Sequence, residues 1–135
     1  MKKMIGPPKK TYVDAGEQLV AEFYVRDLAP AREFLCALGF AVVRSEPDFL
    51  EMRWEQSLIF LERVDRDTPP PAIPVVNIRV MVPNVDDYWR MALALGARVI
   101  RPIGDRYYAL RDFTVAGPDG IALRFATPIS SRGRI

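Results

Sequence analysis

Glu22 is a lone charge inside the apolar run at residues 19–25, and Arg79 holds the matching place in the run at 75–82. Side chains along a strand alternate between faces, so Val20, Glu22 and Tyr24 share one face, with Asn77, Arg79 and Met81 as their counterparts. A carboxylate so placed points into a cavity or to solvent. In a cavity it can serve as a general base, while a guanidinium can pair a carboxylate or phosphate or stabilise an oxyanion. Much other chemistry is excluded by a single absence. The chain has no histidine, so it holds no Ser-His-Asp triad, no Cys-His pair, no histidine-bound zinc and no facial triad of two histidines and a carboxylate. Its one cysteine, Cys36, falls inside a predicted helix and reads as a buried, inert thiol with nothing to activate it.

The elements that position these residues are repeated. Residues 25–43, VRDLAPAREFLCALGFAVV, align without gaps on residues 82–100, VPNVDDYWRMALALGARVI. Val25 matches Val82, Asp27 matches Asn84, Ala37-Leu38-Gly39 matches Ala94-Leu95-Gly96, and Val42 matches Val99. Each copy has an apolar run, a capping residue, a helix-period stretch, a Leu-Gly stop and a new β-type run. The chain therefore reads as a tandem of one unit, and its function is to be sought between the copies.

In chain order, residues 1–16 read as an irregular arm with Gly6, Pro7, Pro8 and Gly16. The first unit, 17–64, begins with the strand at 19–25, whose Leu19, Ala21, Phe23 and Val25 form the core face. Asp27 then caps a helix with Leu28, Ala31, Phe34, Leu35 and Leu38 on its buried stripe, and Gly39 ends it. An antiparallel meander follows at 40–44, 49–54 and 58–64, with polar breaks between its strands. Four prolines in residues 65–74 make an extended linker. The second unit, 75–128, repeats the pattern. Asn84 with Asp87 resembles a capping box, and Val85, Tyr88, Trp89, Ala92 and Leu95 form the buried stripe of its helix. Beyond it come a strand at 98–102, a loop at 103–106, one or two strands at 107–116, a tight GPDG turn and a last strand at 121–126. Residues 129–135 are the tail.

Composition limits the partners. With 135 residues the chain buries roughly two-thirds of its unfolded surface as one globular domain. A net charge of +2 is too small to imply nucleic acid, and the basic residues cluster at the two ends, as in solvated tails. No apolar run approaches the roughly 18 residues of a membrane span, and no apolar segment follows the N-terminal lysines. A cytoplasmic protein with neither membrane nor nucleic-acid partner is expected.

The segment YVRDLAPAREFLCALGF, the Pro-rich linker and RYYALRDFTVAGPDGIALRF resemble the vicinal oxygen chelate superfamily, over about residues 17–128. That superfamily contains glyoxalase I, extradiol dioxygenases, fosfomycin resistance enzymes and bleomycin resistance proteins; the C-terminal motif is similar to the bleomycin-resistance and glyoxalase-like branch. The resemblance implies an α+β fold of two tandem βαβββ modules forming a curled mixed sheet around a cavity, commonly as a homodimer. It also places the metal-ligand positions of metal-dependent members at Val20, Glu62, Asn77 and Arg124. These carry one carboxylate, an amide, a fixed cation and no donor at Val20, so neither a metal nor another cofactor is expected. GPDG departs from the usual D-P-D-G turn.

Carried along the strands, the same positions direct Glu22, Tyr24, Phe60, Glu62, Asn77, Arg79, Met81, Arg124, Ala122 and Ala126 to the cavity. Glu22, Glu62, Arg79 and Arg124 then either neutralise one another as a buried network or line a ligand pocket; the two are compatible. Trp54, Phe49, Tyr107 and Tyr108 are candidates for stacking on a planar ligand or for edge packing, whereas Trp89, Tyr88 and Phe34 belong to the core. Two functions remain open. One is a metal-free homodimer that sequesters a small molecule such as an antibiotic. The other is a metal-independent isomerase or lyase with Glu22 or Glu62 as general base. Bleomycin itself is cationic, and this chain lacks the acidic bias that would steer it in.

Overall fold

Asp27 and Asn84 each sit in extended backbone and turn it into a helix, their side chains accepting from the amides of Ala29 (3.3 Å) and Asp86 (3.2 Å). Strand, cap and helix recur in both halves of the computed structural model, which describes residues 12–129. Most of the arm expected at 1–16, and all of the tail except Ile129, lie outside the described residues.

The first unit runs β1 (Ala21–Val25), α1 (Leu28–Ala37), β2 (Ala41–Glu46), β3 (Phe49–Trp54) and β4 (Ser57–Arg63). The second runs β5 (Val76–Met81), α2 (Val85–Ala94), β6 (Val99–Asp105), β7 (Leu110–Ala116) and β8 (Ile121–Pro128). Each unit makes its own four-stranded mixed sheet, in the orders β1-β4-β3-β2 and β5-β8-β7-β6, and neither sheet closes into a barrel. The parallel pairs are β1 with β4 and β5 with β8. A parallel pair needs a long crossover, which the intervening helix and strands supply.

One core joins the units. Val25, Leu38, Met52 and Leu61 from the first pack with Val85, Phe113, Leu123 and Phe125 from the second. Trp54 lies at the seam, 5.2 Å from Phe40, 5.7 Å from Tyr88 and 6.3 Å from Phe125 between ring centroids. Gly39 makes room for it. Its φ of +118° is open to glycine, and a Cβ there would meet Trp54 Cζ3 at 2.6 Å. A second tie is made by the GPDG turn, where Asp119, itself at φ 52°, accepts from the Arg26 amide at 3.2 Å.

Several sequence expectations change. Leu19 is 90% exposed and Leu95 45%, because each lies beyond the element that would bury it. Cys36 is exposed on the outer side of α1, one position past the buried Leu35. Asp87 is no capping-box partner, since its carboxylate pairs with Arg90 on the next turn. Residues 103–105, read as loop, extend β6, an edge strand whose register shifts around Arg101 accommodate Pro102 and Gly104.

Candidate functional site

Because Ile78, Val80, Phe113, Val115, Leu123 and Phe125 face the core, the alternate residues of β5, β7 and β8 form the outer face of the second sheet. A basin of about 690 Å³ lies on it, lined by Asn77, Arg79, Ala122, Arg124, Thr114, Leu110, Tyr108 and Arg101, with Ile73, Val75, Val76 and Ile100 among its apolar wall. Strand register sets Arg79 opposite Arg124, Arg124 opposite Thr114, and Thr114 opposite Arg101. One row across four strands therefore carries three guanidiniums.

Asp112 holds this face together. Its carboxylate is 1% exposed and takes Arg106 Nε on Oδ1 at 2.7 Å, and Arg124 Nε and the Tyr108 hydroxyl on Oδ2, each at 2.9 Å. Burial pushes the Asp112 carboxyl up, but the hydrogen bonds from Arg106, Arg124 and Tyr108 outweigh it and hold the group below the ordinary carboxylate range. The Tyr108 ring also lies 5.2 Å from the Arg124 guanidinium. By contrast, neither a hydrogen bond nor an ion pair is found for Arg79 among the described residues.

The outer face of the first sheet has a different character. Glu22 and Glu62 stand on the neighbouring parallel strands β1 and β4, where Glu22 pairs with Phe60 and Tyr24 with Glu62. The hydrogen bond that protonated Glu22 donates to the Glu62 carboxylate raises the Glu22 pKa, with burial and repulsion between the two carboxylates acting the same way. Phe60 and Phe49 meet edge-to-face at 5.2 Å, and Arg44, paired with Glu46 and Glu51, lies 4.7 Å from the Phe49 ring.

The residues singled out from the sequence thus separate. Asn77, Arg79 and Arg124 line the basin, whereas Glu22, Tyr24, Phe60 and Glu62 occupy the first sheet's face. The four charged side chains do not form one network, because each sheet turns its polar face away from the shared core. Trp54 and Met81, with Arg79, border a cleft of about 320 Å³ between β5 and the β3–β4 turn. Tyr107 is 99% exposed and lines neither; its neighbour Tyr108 enters the basin instead. Sequence reasoning missed Asp112, Thr114 and Arg101 as site residues. A signal for the first two existed: they alternate with Phe113 and Val115, just as Glu22 alternates with Phe23 and Val25.

The sequence matches the Glyoxalase/Bleomycin resistance protein/Dioxygenase superfamily over residues 18–125. The chain belongs to that superfamily. Among solved structures of its fold, TioX from Micromonospora sp. ML1 is 21% identical, with 84% of this chain and 100% of TioX covered at a TM-score of 0.71. A glyoxalase/bleomycin resistance protein/dioxygenase from Nocardioides is 16% identical over 94% of this chain and 89% of its own, with a TM-score of 0.69. A bleomycin-binding protein solved with bleomycin is 14% identical over 82% and 98% of the respective chains, TM-score 0.66. No curated protein matches the sequence. At the metal positions that the resemblance implied stand Val20, Glu62, Asn77 and Arg124, of which only Glu62 is a carboxylate. No cluster of three or more His, Cys, Asp or Glu side chains suited to a metal occurs among the described residues, and Arg124 is ion-paired to Asp112. Nor is any helix among them long and apolar enough to cross a membrane.

Proposed function

We propose that this protein is a metal-free, homodimeric cytoplasmic binder that sequesters a small molecule, an antibiotic among the candidates. The observation that carries this reading is the open basin on the second sheet. It joins a few convergent polar groups to an apolar wall, the usual make-up of a ligand site. Ile73 and Val75, 80% and 78% exposed on its rim, are apolar surface that a ligand or a second copy would cover. A solved relative of the same fold binds bleomycin. Ligand contacts are assigned to Asn77, Arg79 and Arg124 in the basin, to Met81 and Trp54 at the cleft, and to Glu22, Tyr24, Phe60 and Glu62 on the face that a homodimer would bring into play.

Calorimetric titration with EDTA present, against bleomycin and a set of planar aromatic and peptide antibiotics, tests the reading. Saturable binding at about one site per chain supports it. Tryptophan fluorescence is the poorer probe of the basin, since neither Trp54 nor Trp89 lines it; Trp54 would report only on the cleft. Sedimentation of the same samples reads the dimer.

The Glu22–Glu62 pair favours a second reading, a metal-independent isomerase or lyase. A carboxyl raised by its neighbour is closer to the range a general base needs at neutral pH. Turnover without added metal, lost in Glu22→Gln while binding persists, would establish that activity; binding without turnover of any ligand would reject it.

A further inference from the structure

Building on the small-molecule reading, we propose that the basin is selective for anions. It would hold the carboxylate or phosphate of an otherwise apolar ligand between Arg79 and Arg124, with Arg101 at the far end of the row. Three guanidiniums and no carboxylate are among the side chains that line the basin. Asp112, beneath them, has both oxygens occupied by Arg106, Arg124 and Tyr108. Its single charge offsets only one of the two arginines it anchors, and neither Arg79 nor Arg101 has an ion-pair partner among the described residues. Among the described residues, the partner found for Arg101 is the Tyr108 hydroxyl, at 3.5 Å.

Register makes the need for an anion specific. Arg79 and Arg124 are directly opposite on adjacent parallel strands, about 5 Å apart at the backbone. Like charges placed opposite one another on a sheet repel, and an anion between them converts that repulsion into two charge-assisted hydrogen bonds. The small side chain of Ala122, next to Arg124 on the same face of β8, lines the basin beside it. The Asn77 amide, opposite Ala122, and the Thr114 hydroxyl, opposite Arg124, add donors at the margin. A cationic ligand would meet the opposite field.

The test compares four probes sharing one ring system on the full-length protein: 2-naphthoate, 2-naphthyl phosphate, 2-naphthamide and 2-naphthylmethylammonium. Calorimetry should give the two anions at least about tenfold tighter binding than the amide, weakening as salt rises, and no binding of the cation. The tighter of the two anions identifies carboxylate or phosphate as the preferred group. Arg79→Gln should remove about tenfold from the anions and leave the amide unchanged. Arg79→Lys, which keeps the charge, should retain the preference in part. Equal binding of amide and anion would overturn the selectivity and leave the small-molecule reading standing. Failure of all four probes would overturn both. If Arg79→Gln instead weakens self-association without altering the anion preference, Arg79 serves the contact between copies, and the clamp is refuted.

Discussion

Arg124 reaches Asp112 diagonally across β8 and β7, with Nε 2.9 Å and Nη2 2.8 Å from Oδ2. The residue directly opposite Arg124 is Thr114, and the one opposite Asp112 is Ala126, so the pair closes over the small alanine. The buried acid thereby gives the Arg124 guanidinium a set direction. Arg79, across the other neighbouring strand, has no such anchor. The basin's charge follows from this asymmetry.

Replacing Asp112 with Ala would leave Arg106, Arg124 and Tyr108 without their shared acceptor. We expect a loss of about 3 kcal/mol, the low end for a broken buried pair because Arg124 remains 24% exposed. The folded-state pKa is depressed, so the stabilisation is complete above the ordinary carboxylate value near ~3.9 and disappears as pH falls through the lower, folded value. Urea unfolding at pH 7 and at pH 3 should show a large difference from wild type at the first and a smaller one at the second. Equal midpoints at pH 7 would refute the anchor.

The Glu22–Glu62 pair has the opposite sign. A raised acid pKa means that the stabilising contribution is present below the unfolded value and lost as pH rises through the folded one. Glu62→Gln should therefore melt higher than wild type at pH 8, with the gap closing toward pH 4. A gap independent of pH would rule out the shared proton.

Gly39→Ala should cost about 2 kcal/mol or more, because the substitution combines a φ of +118° with a Cβ 2.6 Å from Trp54 Cζ3. Gly96→Ala makes a useful contrast, since nothing lies within 4 Å of its Cβ and only the backbone term applies. Denaturation midpoints showing the two variants equally destabilised would remove the steric part of the argument.

Asn84→Ala should lose about 1 kcal/mol with the cap of α2. Asp87→Ala should lose under about 0.5 kcal/mol, since its contact with Arg90 is an exposed ion pair. Helix content and thermal midpoint read both; a larger loss at Asp87 would revive the capping box.

Much of this fold is legible without coordinates. The caps at Asp27 and Asn84, the glycine stops and the alternation of Glu22 and Arg79 with apolar neighbours are all local signals. The helices and six of the eight strands start and end within two residues of their expected places. The exceptions are β7, which begins at Leu110 rather than 107, and β6, which runs past its expected end at 102 to Asp105 because register shifts around Arg101 let an edge strand absorb Pro102 and Gly104.

Local periodicity, then, determined on its own which side chains share a face, because strand and helix repeats act over a few residues. It also determined that histidine chemistry is absent. How those faces combine was decided by tertiary structure alone. Trp54, Tyr88 and Phe125 join the units through the core, so the polar faces of the two sheets turn outward and apart. Glu22 and Glu62 consequently neighbour each other, and Arg124 finds Asp112. Such pairings depend on contacts between residues distant in sequence, and no repeat along the chain encodes them.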